Sequence, residues 1–183
     1  MPSSSEDLER LAEVIRARNA IETEIAAITG RPAQLGHVGE YMAPRVFGID
    51  LVESASQRSI DGYFRQGPLA GSSVDVKSST KQDGLLNLST SAEPDFYLVL
   101  TGSRQAPGPS RGQTRPWTIE SVYLFEAREL IAALRELGVG LGIATGVRRH
   151  LWQRAEPCPV QRNLRPPLSE QQRQFLRRFA GQA

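Results

Sequence analysis

What is scarce in this 183-residue chain narrows the field before any motif is read. It has one cysteine, Cys158, set between Pro157 and Pro159, so no intrachain disulfide can form and no cysteine-based zinc site can be assembled. A reducing cytoplasm fits that usage. No apolar run approaches the roughly 18 residues of a membrane span. The first residues, PSSSEDLERL, are polar and acidic, where a secretory leader is basic and then apolar. Neither a membrane partner nor a secreted destination is expected. Lysine is nearly missing as well: only Lys77 and Lys81 stand among 22 basic residues, and the rest are arginine.

What is present is ordinary in amount. With 39% hydrophobic and 23% charged residues, the chain matches soluble globular proteins, which excludes wholesale disorder and the collagen-like and coiled-coil classes. The length suits one domain over residues 1–183. The net charge of +2 conceals an asymmetry: residues 1–100 carry 9 basic and 14 acidic side chains, residues 101–183 carry 13 and 6. Arginine pairs phosphate through a fixed fork. An acidic half beside an arginine-rich half suits a polyanion held over a metal site, and it equally suits a polar surface biased toward arginine.

Hydrophobic spacing gives the elements. Residues 6–28 read as an amphipathic helix carrying Leu8, Leu11 and Ile15, then Val14, Ile21, Ile25 and Ile28, with Gly30 and Pro32 as its stop. The stripe drifts, so the helix is expected to pack on the chain's own core. It is also the element through which copies could form a homo-oligomer. A second helix spans about 35–47 with a kink expected at Pro44, which has no N–H for the Glu40 carbonyl. SIDGYFR (59–65) and SVDVKSS (73–79) alternate as an antiparallel strand pair around QGPLAGS. Further strands are expected at about 95–101, rich enough in apolar residues to be central, and at 118–125. A helix follows over 126–138, with Leu130, Ile131, Leu134 and Leu137 inward, and VGLGIAT (139–145) reads as a buried strand. Ser169 and Gln172 match a capping box that opens a last helix with Phe175, Leu176 and Phe179 on its stripe.

Charged residues inside the strand pair break the pattern. Asp75 and Lys77 are two apart and share a strand face, with Val76 directed the other way, and Asp61 opens the neighbouring strand. Aspartate is depleted in strands, and burying charge is costly unless it is paired or binds metal. Two neighbouring carboxylates suit a hard cation such as Mg²⁺, which takes one or two carboxylates plus phosphate and water. Lys77 could then orient or help deprotonate the attacking water, or stabilise charge on the phosphate. A surface Asp–Lys pair on a strand is the plainer alternative.

These residues resemble the PD-(D/E)XK nuclease superfamily: Glu40 on the helix before the strands, Asp61 in SIDG, and Asp75 with Lys77 in VDVKSS. The likeness spans residues 33–145 and departs from the named pattern at Ile60, where that pattern has proline. It implies an α/β, restriction-endonuclease-like core of helix, antiparallel strand meander, helix and strand with a mixed central sheet. The helix of residues 1–30 and a C-terminal extension, 146–183, with a short helix are added to that core. It also implies catalytic roles for Glu40, Asp61, Asp75 and Lys77, metal ligation by Glu40, Asp61, Asp75 and the Val76 carbonyl, and Mg²⁺ as cofactor with Mn²⁺ as substitute. The expected activity is Mg²⁺-dependent hydrolysis of DNA, less so RNA, leaving 5′-phosphate and 3′-hydroxyl ends. A catalytically inactive nucleic-acid-binding or partner-binding module on the same scaffold is the alternative.

Several residues carry two readings each. His37 could ligate metal or cap its helix. Gln57 and Arg58 could touch phosphate or sit in a solvated turn. Ser78, Ser79 and Lys81 could follow a nucleic-acid backbone or form a polar edge. SRQAPGPSRGQTRPW (103–117), with Arg104, Arg111 and Arg115 and no acid, is either a phosphate-gripping loop or a disordered hairpin tip. Arg148, Arg149 and His150 precede Trp152 as nucleic-acid binders arrange them, or as solvated residues beside a core tryptophan. Gly140, Gly142 and Gly146 lack the G-x-G-x-x-G spacing of a dinucleotide loop and are read as allowing close backbone packing.

Overall fold

The computed structural model of the chain describes residues 4–52, 60–88, 93–104 and 114–181. Ser4–Thr29 form α1, which ends where Gly30 turns left-handed at φ 72° and donates its N–H to the Ala26 carbonyl. Leu35–Met42 form α2, and at Pro44 the helix widens into a π turn over Ala43–Phe47 instead of continuing. The expected break at Pro44 takes that form.

Five strands follow in one mixed sheet: β1 (Ile49–Leu51), β2 (Gly62–Phe64), β3 (Ser73–Ser79), β5 (Phe96–Thr101) and β6 (Ser121–Glu126), ordered β1-β2-β3-β5-β6. The expected antiparallel pair is β2 with β3, joined by a 3₁₀ turn at Gly67–Leu69. β5 is an interior strand, beside the middle strand β3, and every residue in it is buried. It runs parallel to β3, so the antiparallel meander of the sequence reading stops at β3 and the chain crosses over before β5. A short β4 (Leu85–Leu86) lies in that crossover. β1, only three residues long, was not expected.

The strand expected at 139–145 is absent. Gly142 at φ 153° and Ala144 at φ 58° turn the backbone out of the extended region and leave Ile143 91% exposed. Only Thr145–Gly146 (β7) pairs, antiparallel to β4 in a separate two-stranded sheet. Gly140 and Gly142 thus lie in a loop and not in a strand.

Two apolar layers enclose the sheet. Val74, Val76, Leu98, Leu100, Val122 and Leu124 pack with α2, the π turn and α5 (Glu170–Arg177). Tyr97, Val99, Tyr123 and Phe125 pack with α3 (Ala127–Glu136) and α4 (Arg149–Arg154). In α3, Leu130, Ile131 and Leu134 face inward, whereas Leu137, past the last turn, is exposed. The Ser169–Gln172 capping box of α5 is present in both directions. Because these helices already cover both faces of the sheet, α1 does not pack on the core as expected. Its large aliphatic side chains are mostly exposed, and only its last turns, around Ile25, Ala26 and Thr29, are half-buried. No helix among the described residues is long and apolar enough to cross a membrane.

Candidate active site

The strand alternation places the central pair. Val74 and Val76 enter the α2-side core, so Asp75 and Lys77 emerge on the other face, in register with Tyr97 and Val99 of β5. Asp75 is 6% exposed, and the Lys77 ammonium donates to its Oδ2 at 2.7 Å. The same ammonium lies 5.5 Å from the centre of the Tyr97 ring. Here the pairing that makes a buried carboxylate tolerable is supplied by one lysine.

Asp61 sits where β2 leaves β3. Its N–H donates to the Val74 carbonyl at 2.9 Å, and its Oδ2 accepts from the Val76 N–H at 2.7 Å. The side chain thus replaces the strand partner that the Val76 amide would otherwise need. Gly62 follows because a Cβ there would overlap the Asp50 carbonyl. One oxygen of Asp61 is committed to Val76, and a ligand would use the other.

Glu40 comes from α2, which approaches β3 closely because Gly39 has no side chain: a Cβ there would overlap Ser78 Oγ. Its carboxylate is ion-paired with Arg31, just beyond α1. Burial pushes both Asp61 and Asp75 above the ordinary carboxylate range. For Asp61 the Val76 hydrogen bond opposes this, while the charges of Asp75 and Glu40 add to it. For Asp75 the Lys77 ammonium opposes it and Glu40 adds to it. The three carboxylates therefore feel one another, with Lys77 and Arg31 as their cations and one negative charge in excess.

The donor set is all oxygen, which suits Mg²⁺ or Mn²⁺. Among the described residues no group of three or more acidic, histidine or cysteine side chains is arranged to hold a metal ion. A cation here would take one or two of these carboxylates and fill its remaining positions from water and phosphate, which is the usual habit of Mg²⁺.

The raised carboxyls fix a sign for stability. A group that holds its proton more tightly when folded contributes most below its unfolded value, here 3.8, and that contribution is lost as pH rises through the folded value. Asp61→Asn keeps an acceptor for Val76 and removes a repelled charge. It is expected to raise Tm by a few degrees at pH 7, with the gain vanishing below pH 4, in thermal melts across that range. A lower Tm at pH 7 would contradict the crowding described above.

The other candidates scatter. Lys81 is paired with Asp83 at 2.9 Å. Arg104 bridges to Gln82 through its main chain; burial pushes the Glu156 carboxyl up, and the charges of Arg162 and then Arg104 oppose this. Arg115 lies across a groove from α1. Arg148 caps α4 and Arg149 begins it, both exposed, while Trp152 is buried against Tyr123 and Phe125. His37 Nδ1 donates to the Pro32 carbonyl at 2.8 Å, closing the turn into α2. Gln57, Arg58 and Arg111 lie outside the described residues.

Two neighbours of the site gave no signal in the sequence. Arg31 reaches Glu40 across a turn, nine residues away. Tyr97 is hidden in an apolar run: it is fully buried, its hydroxyl lacks a hydrogen-bond partner among the described residues, and burial with the nearby Asp75 and Glu93 charges pushes it up to about 12. No protein-family model matches the chain, and no curated protein matches it.

Proposed function

We propose that this chain is a metal-dependent phosphodiesterase of the PD-(D/E)XK type acting on DNA, with RNA as the second substrate class. One observation carries the reading: where β2 parts from β3, Asp61 holds the Val76 N–H, Lys77 and Asp75 pair with each other from either side of that residue, and the charges of Asp75, Glu40 and Lys77 reach Asp61. Asp75 is buried with the charges of Asp61 and Glu40 near it, so a task for the group is the simpler account.

Asp61 and Asp75 would hold Mg²⁺, with the Val76 carbonyl as a further oxygen ligand and water and phosphate in the remaining positions. The ion would neutralise phosphate charge and lower the pKa of its water. Lys77, fixed by Asp75, orients the attacking water toward phosphorus and steadies negative charge on the phosphate oxygens. Glu40, held by Arg31, would add negative charge that draws the cation to the site. Arg104, Arg148 and Arg149 are exposed and would grip the backbone as sequence-independent contacts.

The ion pairs that already neutralise Glu40 and Asp75 favour the second reading, a binding module without turnover. The test is cleavage of duplex DNA, single-stranded DNA and RNA by the purified protein with Mg²⁺, Mn²⁺ or EDTA, beside Asp75→Asn. Metal-dependent cleavage that leaves 5′-phosphates and is lost in Asp75→Asn is the expected result. Binding without turnover in either metal would replace the hydrolase with the binding module.

A further inference from the structure

α1 is out of proportion to the surface it covers. Twenty-six residues rise about 39 Å at 1.5 Å each. Along that length Leu8, Leu11, Val14, Ile15, Ile21 and Ile28 are between 46% and 66% exposed. Helices in water draw most of their stability from a packed apolar face, and an apolar stripe of this length on a surface marks an interaction site.

The chemistry of the helix narrows the occupant. The helix carries Glu6, Asp7, Glu9, Glu13, Glu22 and Glu24 against Arg10, Arg16 and Arg18, a net −3. An anionic membrane surface calls for a polar face rich in lysine and arginine, and nucleic acid requires positive charge. Both are disfavoured. The spacing fits another helix of the same kind: positions 11, 14, 18, 21, 25 and 28 follow the 3-4 alternation of a coiled-coil seam and read Leu, Val, Arg, Ile, Ile, Ile.

We infer that α1 pairs with α1 of a second copy in antiparallel orientation. In that alignment Leu11 meets Ile28 of the partner subunit and Val14 meets Ile25 of the partner subunit. Arg18 lies against Ile21 of the partner subunit, one residue from Glu22 of the partner subunit. Within its own chain Arg18 already pairs with Glu22 at 2.8 Å, so its guanidinium is directed along this stripe. A parallel pairing would instead stack Arg18 on its own copy and bring the acidic first turns together. A polar residue at one seam position is a known way to specify orientation.

The geometry leaves room for the partner. Val14, Ile21 and Ile25 wall one side of a groove of about 540 Å³, and Arg115 and Trp117 wall the other. Trp117 is 42% exposed. The seam from Leu11 to Ile28, about 27 Å long and about 10 Å wide, is roughly a third of the ~800 Å² that each partner of a stable interface buries. The Trp117 wall adds to it.

The experiment is sedimentation equilibrium of the full chain over a micromolar concentration series, beside Val14→Glu/Ile21→Glu. The expected result is a dimer that becomes a monomer in the double variant, with the concentration dependence of Tm lost at the same time. Orientation is read by oxidising single-cysteine variants, since native Cys158 is buried. Leu11→Cys mixed with Ile28→Cys is expected to form a mixed disulfide dimer, and Leu11→Cys alone is not. A monomeric wild type, a dimer that survives Val14→Glu/Ile21→Glu, or efficient cross-linking of Leu11→Cys to itself would each overturn the inference.

Discussion

Lys77→Met is expected to lower metal-dependent cleavage by about 100-fold or more, the scale of a positioned proton-handling or charge-stabilising group. Methionine keeps the apolar stem and removes the ammonium that pairs with Asp75. The same change leaves a carboxylate at 6% exposure without its cation. The folded state should therefore lose about 1–3 kcal/mol at pH 7. The loss should shrink as pH falls, because without Lys77 the Asp75 carboxyl is raised further and takes up a proton more readily. Adding Asp75→Asn should restore most of the stability and none of the cleavage, which separates the two roles of the lysine in one double-mutant cycle. Cleavage by well-folded Lys77→Met at the wild-type rate would remove Lys77 from the chemistry. Unchanged stability would mean that the pair is not what makes Asp75 tolerable.

Trp152→Ala should have the largest effect on the fold. Trp152 is 3% exposed and stands edge-on to Tyr123 at 4.7 Å and to Phe125 at 5.0 Å between ring centres. Removing a buried aromatic of this size costs about 3–5 kcal/mol, which in a chain of this length lowers Tm by about 10 °C or more. Trp152→Phe should recover most of it. Urea melts of the three proteins measure the effect. The result also decides how Arg148, Arg149 and His150 are to be read. If Trp152 were a stacking platform for bases, its loss would weaken nucleic-acid binding and leave the melt unchanged.

Strand alternation made most of the site legible before any coordinates. SVDVKSS can bury its valines only by sending Asp75 and Lys77 to the opposite face, and the structure does this. The capping box at Ser169 and the break at Pro44 are local chemistry, and both are present. What failed depended on distant partners or on backbone angles that composition does not show. VGLGIAT has the apolar content of a strand, but positive φ at Gly142 and Ala144 bends it into a loop. The amphipathic pattern of α1 identified a helix correctly and its resting place wrongly, because the pattern does not say that α2, α3, α4 and α5 already cover both faces of the sheet. The parallel course of β5 beside β3 is fixed by a crossover whose path no single segment specifies. The Arg31 clamp on Glu40 depends on how α1 and α2 meet.

The scarcity of lysine has a practical side. Only two peptide bonds in the whole chain follow a lysine, those after Lys77 and Lys81. Lys77 lies inside β3 and Lys81 in the bend two residues past its end, and both lysine side chains are held in ion pairs. A lysine-specific protease therefore has only one site outside a strand, the bond after Lys81, and one inside, the bond after Lys77. The cut after Lys77 reports the opening of the strand that carries the candidate site, and its rate, read apart from the cut after Lys81, makes local unfolding there measurable without a label.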